Sequence, residues 1–278
     1  MPVRVVTDSS CDLPQALADD LGIVIVPLTV RFGADERLDR RELTPTEFWA
    51  RRAASAEPPE TSAPPPSSFE SAYRALSDAG ADGVVVVAVS ALLSGTVQSA
   101  QLAAAAVLGV VAVAVVDSRS ITSGLGTVAV AAARRARAGG TIEQVRAAAA
   151  EVANRTEVLL ALEPSDHARR AGGSGAIGLV DWRGRGRSVL ELRDGRFEPA
   201  GRSRGRAGAL DRLLDRVTAA GPLDGLVVFQ AEAPDLDGFV SRVAPLAPGP
   251  VRVDAVGAVL GSRCGPGAIG VAYQARTG

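Results

Sequence analysis

Three clusters of hydroxyl, carboxylate and glycine residues follow short valine-rich runs: Thr7-Asp8-Ser9-Ser10, Ser90 to Thr96, and Asp117-Ser118 to Ser123-Gly124. Such groupings can seat an anion. Hydroxyls donate, glycine lets a ligand approach the backbone, and the free N–H groups of a helix start favour negative charge. Ser94-Gly95, ahead of an alanine-rich segment, is the best example and suits a carboxylate or a phosphate. The same residue types are also good helix N-caps, and the residues alone leave both readings open. Thr61-Ser62 lies in the proline-rich stretch Glu57 to Ser68, which reads as an extended connector. Arg263 stands in the glycine-rich run Gly257 to Gly270, read as a loop between two strands, where it either reaches an anion held at Ser94 or is simply solvated.

Several chemistries are excluded or weakened. All 30 basic residues are arginine, so neither a Schiff-base lysine nor a Walker A lysine is present. The single histidine, His167, lies beside Asp166 and shortly before Arg169 and Arg170, and a G-x-S-x-G elbow is missing, which argues against a Ser-His-Asp hydrolase. Two cysteines, Cys11 and Cys264, cannot build a cysteine-rich metal cluster. A carboxylate metal site on Asp8, Asp12 and Asp117 stays open, as does simple capping by the same residues. The terminal glycine run lacks G-x-G-x-x-G leading into a helix, which argues against a dinucleotide site.

The elements that must position these residues alternate. Val3 to Val6, Ile23 to Val30, Gly83 to Val89 and Val110 to Val116 read as strands. Leu13 to Leu21, Pro45 to Ala54, Ser67 to Ala79, Gly95 to Leu108, Ser123 to Ala138 and Thr141 to Ala153 read as helices. This predicts an α/β fold: a parallel sheet with helices on both faces over residues 1–157, then a smaller α/β domain with a mixed sheet over 158–278. A ligand belongs beyond the carboxyl ends of the parallel strands, where loops and helix starts meet.

Over 278 residues, 47% are hydrophobic, only 4% are aromatic, and the net charge is -1. That balance gives no overall field for nucleic acid or an anionic membrane. One patch departs from it, since residues 169–206 carry ten arginines against four acids, and that segment is expected at the surface. The apolar stretch Leu102 to Val116 is broken by Gly109 and too short to span a bilayer, although transient contact with a membrane surface stays open. The start, Met1-Pro2-Val3-Arg4, lacks a signal-peptide pattern, so a cytoplasmic protein with free thiols is expected.

Four segments together resemble the DegV family of bacterial fatty-acid-binding proteins, over nearly the whole chain. They are Thr7-Asp8-Ser9-Ser10-Cys11-Asp12-Leu13-Pro14, Thr61-Ser62-Ala63-Pro64, Leu93-Ser94-Gly95-Thr96-Val97-Gln98-Ser99-Ala100, and Val256 to Gly270. Asp117-Ser118 to Gly126, and Arg204 ahead of the helix containing Ala209, match in spacing. The resemblance implies a protein that buries one long-chain fatty acid between two domains, its acyl chain in an apolar tunnel. The carboxylate would lie near Thr61, Ser62, Ser94, Gly95 and Arg263, with Asp8, Ser9, Ser10, Thr96, Ser118 and Ser123 in supporting loops. It further implies a non-catalytic subunit, without cofactor or metal, that presents the acid to a separate ATP-binding fatty acid kinase subunit, with Arg204 facing the partner or the phosphoryl group. The chain departs from the family pattern in having Arg263 where a histidine is usual, Ala63 and Pro65 for glutamine and serine, and Val97 for tyrosine. Two other readings remain: a stand-alone metal-dependent enzyme acting on an acyl carboxylate or phosphate ester, and a lipid sensor without a kinase partner.

Overall fold

The computed structural model describes residues 2–55, 57–163 and 187–276. His167 and the arginines from Arg169 to Arg185 lie outside them.

A parallel sheet forms first, from β1 (Val3–Asp8), β2 (Ile23–Val26), β6 (Gly83–Ala88) and β7 (Ala112–Asp117), in the order β2-β1-β6-β7. Every residue of β6 is buried, as expected of a central strand covered on both sides. Its side chains alternate between two cores. Val84 and Val86 pack with Phe69 and Tyr73 of α3 (Pro66–Asp78) and Ala100 and Ala103 of α4 (Thr96–Ala106). Val85 and Val87 pack with Leu125 and Ala129 of α5 (Thr122–Arg137) and Val145 of α6 (Ile142–Arg155). Helix starts are well specified. Thr44 and Glu47 form a capping box ahead of α2 (Pro45–Ala54), and Thr141 and Gln144 form another ahead of α6. Helix α1 (Gln15–Leu21) stops at Gly22, whose φ is 65°.

The expected strand from Ile23 to Val30 is broken at Pro27, which has no N–H to give to a ladder. Beyond the break, β3 (Thr29–Phe32) joins a separate antiparallel sheet of order β4-β3-β5, with β4 (Asp35–Leu38) and β5 (Glu60–Ser62). The proline-rich stretch is therefore extended for a reason beyond its prolines, since Thr61 pairs with Val30.

The second large sheet is mixed, in the order β10-β9-β8-β13-β11-β12. Its strands are β8 (Thr156–Ala161), β9 (Arg187–Arg193), β10 (Arg196–Ser203), β11 (Leu223–Gln230), β12 (Arg252–Ala255) and β13 (Ile269–Ala275). The β9–β10 hairpin turns on Asp194 and Gly195 with φ of 47° and 83°, as an Asp-Gly type I′ turn requires. One face of this sheet, with Leu159, Val189 and Val271, packs on α7 (Arg206–Ala219) and α8 (Leu236–Val243). The other face, with Val158, Leu160 and Ala272, shares a continuous core with α5 and α6.

The terminal glycine-rich run is not loop throughout, because Ala258–Cys264 forms a helix, α9. Ala258 and Leu260 are buried, and Gly261 comes so close to Phe48 and Trp49 that an added Cβ would lie 2.7 and 2.9 Å from their ring atoms. The glycines that suggested a loop in fact allow a short helix to dock tightly.

Candidate functional site

A cavity of about 200 Å³ opens beyond the carboxyl end of the parallel sheet. Thr61, Ala63, Ser94, Gly95 and Arg263 line it together with Leu28, Val89, Leu93, Ile121 and Val259. Separate elements contribute. Thr61 comes from β5, Leu93 to Gly95 from the loop between β6 and α4, Ile121 from the start of α5, and Val259 and Arg263 from α9.

The Ser94 side of the site is preorganised. The Leu93 and Ser94 amides donate to the Ser90 carbonyl at 2.9 and 3.1 Å, closing a tight turn, and the Ser90 hydroxyl donates to the Gly195 carbonyl at 2.8 Å. The Ser94 and Thr96 hydroxyls share a hydrogen bond of 2.8 Å. Thr96 is buried and Ser94 half-buried, so Ser94 is the hydroxyl that meets the cavity, with Thr96 behind it. Gly95 caps α4 with an ordinary φ of -72°, and a Cβ there would meet no atom within 4 Å, so the space over it is open. Arg263 is half-buried, and burial lowers its pKa below the usual arginine value. A guanidinium still stays charged at physiological pH.

Thr61 lines the cavity while its neighbour Ser62 is exposed, because successive strand residues point to opposite faces. The other sequence-predicted residues are near the cavity wall or away from it. Asp8 is fully buried. It accepts from the Ser10 amide at 3.0 Å, the Ser10 hydroxyl and the Val89 amide at 2.7 Å. Burial raises its carboxyl pKa against the pull of those donors. Ser9 Oγ accepts from the Leu28 amide at 3.0 Å. These two side chains thus hold the backbones of two lining residues, Val89 and Leu28. Ser118 closes a local turn with Ser120, and Ser123 donates to Asp254 at 2.7 Å, fastening α5 to β12. Asp117 accepts from the Ala91 and Arg119 amides at 3.3 and 2.8 Å. Asp8, Asp12 and Asp117 therefore all serve as acceptors for loop backbones, and among the described residues no three His, Cys, Asp or Glu side chains group as a metal-ligand set.

Arg204 is exposed in the bend after β10. Two positions later Arg206 is enclosed: it pairs with Asp235 at 2.6 Å and with Glu163, and donates to the Gly267 carbonyl at 2.6 Å. That end of the arginine-rich segment is thus partly buried, its charge met by acids from outside the segment.

The apolar lining, Leu28, Val89, Leu93, Ile121 and Val259, was not singled out in the sequence, since each reads as an ordinary core residue. The signals available were position, at or near a strand end, a helix start or the glycine-rich run, and, for Leu93, Ile121 and Val259, a place within segments that resemble the family.

The profile of the DegV family of uncharacterised proteins matches residues 2–276. The chain belongs to the DegV family. A DegV domain-containing protein of Streptomyces coelicolor is 36% identical over 282 residues, covering 99% of both chains. One from Mycobacterium tuberculosis is also 36% identical, covering 98% of this chain and 96% of that one. The solved structure of a fatty-acid-binding DegV family protein from Thermus thermophilus is 31% identical, covers 99% of this chain and 100% of that one, and superposes with a TM-score of 0.87. A DegV lipid-binding protein from Thermotoga maritima is 25% identical, covers 99% and 98%, and gives a TM-score of 0.83. The α/β architecture with parallel and mixed sheets is that of these DegV structures. Among the described residues no helix is long and apolar enough to cross a membrane.

Proposed function

We propose that this DegV protein carries one long-chain fatty acid, without catalysing a reaction itself. Its carboxylate is held by Thr61, Ser94, the backbone at Gly95 and Arg263, while Ser62, exposed on the opposite face of its strand, does not line the cavity. The observation that supports this most directly is a single cavity with hydroxyls, a helix start and a guanidinium beside Leu28, Val89, Leu93, Ile121 and Val259. A buried carboxylate must be paired or hydrogen-bonded to stay ionised, and these groups meet that demand. Burying the chain contributes about 0.8 kcal/mol per CH2. In this reading residues 1–157 and 158–278 act as two domains with the acid between them, and the protein works in the cytoplasm.

The acid is then presented to a separate ATP-dependent kinase subunit that forms the acyl phosphate, with Arg204, exposed on the surface, facing that partner. Mixing the lipid-loaded protein with such a subunit from the same cell and following acyl phosphate tests this. Wild type should support turnover, and Arg204→Ala should lose it while keeping its lipid. Unchanged turnover in Arg204→Ala would remove that residue from the partner face.

A further inference from the structure

We infer that Asp12 is a positioning residue that ties two walls of the cavity together, holding the α9 wall, with Val259 and Arg263, against the α5 wall, with Ile121. Asp12 is buried, 6% exposed, and lies outside the cavity lining. Its Oδ1 accepts from the Gly257 amide at 2.9 Å, at the start of α9 and two residues before Val259. Its Oδ2 accepts from the Thr122 hydroxyl at 2.6 Å, next to Ile121. One carboxylate therefore joins backbone segments 135 positions apart in the chain, each adjoining a lining residue.

Backbone conformation strengthens the case. Asp12 and Thr122 both have left-handed φ values, 50° and 52°. For a β-branched residue such as Thr122 that is an outlier, held only when its surroundings over-determine it. The two strained residues meet in a single hydrogen bond. Gly257 is similarly constrained, since a Cβ there would lie 2.7 Å from Asp12 Oδ1. The tie needs acceptors more than charge. An asparagine could accept from Gly257 through its amide oxygen and donate to the Thr122 oxygen through its NH2.

This inference rests on the fatty-acid reading of the cavity, so two measurements separate them. Hydrogen exchange of residues 257–264 in the ligand-free protein needs no lipid. It should speed up in Asp12→Ala and stay near wild type in Asp12→Asn. Titration of delipidated protein with palmitic acid should show at least about tenfold weaker binding for Asp12→Ala and under about threefold for Asp12→Asn. Adding Arg263→Ala to Asp12→Ala should cost much less than Arg263→Ala alone, because residues acting through one wall are non-additive. Should Asp12→Ala not fold, Thr122→Gly suits the left-handed backbone, removes the hydroxyl from Asp12, and should weaken binding in the same direction. Full additivity with unchanged exchange at 257–264 would overturn the role of Asp12. Wild type that binds no palmitic acid would overturn the fatty-acid reading, while the exchange result would still decide whether Asp12 holds α9.

Discussion

Ser94 and Thr96 share one hydrogen bond yet stand in different places, Ser94 at the cavity and Thr96 buried behind it. Removing the hydroxyl that meets a charged ligand costs about 1.5 to 3 kcal/mol, so Ser94→Ala should weaken fatty-acid binding tenfold or more and Thr96→Ala less. Titration calorimetry checks this, and equal small losses would make Ser94 a cap only. Gly95→Leu should keep its folding stability, because its φ of -72° suits any residue, but lose the ligand, because the new side chain would fill open space. Arg263 gives a further consequence at this scale. A charged arginine makes binding nearly independent of pH between about 5.5 and 8, and Arg263→His should introduce a dependence there. A strong dependence in wild type that persists in Asp12→Asn would assign the carboxylate to another group.

Helix α9 decides the shape of the cavity at the next scale. It is held by the Trp49 indole, which donates to the Val256 carbonyl at 2.8 Å, and by the close approach of Gly261 to Phe48 and Trp49. Overpacking such a contact costs about 1 to 3 kcal/mol. Gly261→Ala should therefore lower the unfolding midpoint in denaturant without changing the slope, and an unchanged midpoint would mean that α2 yields. This helix also marks where the sequence stops being legible. The parallel strands and their helices could be read because valine runs and alanine-rich segments alternate plainly, and Pro45–Ala54 is bounded by its own cap. Ala258–Cys264 could not, since its glycines signal a loop and its close docking on Phe48 and Trp49 is a long-range contact that the local sequence does not show. Strands β4 and β5 were missed because each is short and finds its pairing partner in β3, a segment the sequence merges with β2. Ser94 and Gly95 stand out in the sequence as an anion seat or a cap, and Thr61 and Arg263 are assigned to a carboxylate only by the family resemblance; the structure lines one cavity with all four, whereas the valines and leucines beside them read as core.

Across the whole molecule, buried carboxylates set how stability responds to pH. Burial pushes Asp12 up to about 7 and Asp39 up to about 6, from 3.8 for each, and raises Asp8 and Asp254 as well. The folded chain then holds protons that the unfolded chain releases, so these groups add stability as pH falls from about 8 towards 5 and lose it as pH rises through 6 to 7. Asp35, Glu47 and Asp224 are shifted downward by their arginine and hydrogen-bonding partners, so their contribution is lost only at lower pH. Thermal midpoints should rise on mild acidification, and Asp39→Asn should flatten the rise. A midpoint that falls steadily from pH 8 to 5 would contradict this assignment. The central claim, however, is that the cavity between the sheets and α9 holds an acyl chain. Its most direct test is mass spectrometry of lipid extracted under denaturing conditions from protein purified gently. The account predicts roughly one long-chain fatty acid per chain in wild type and little in Gly95→Leu, since a preformed cavity with a polar end and apolar walls is filled by a ligand that matches both. Wild-type protein that yields no fatty acid and is not stabilised by added long-chain acids would contradict it.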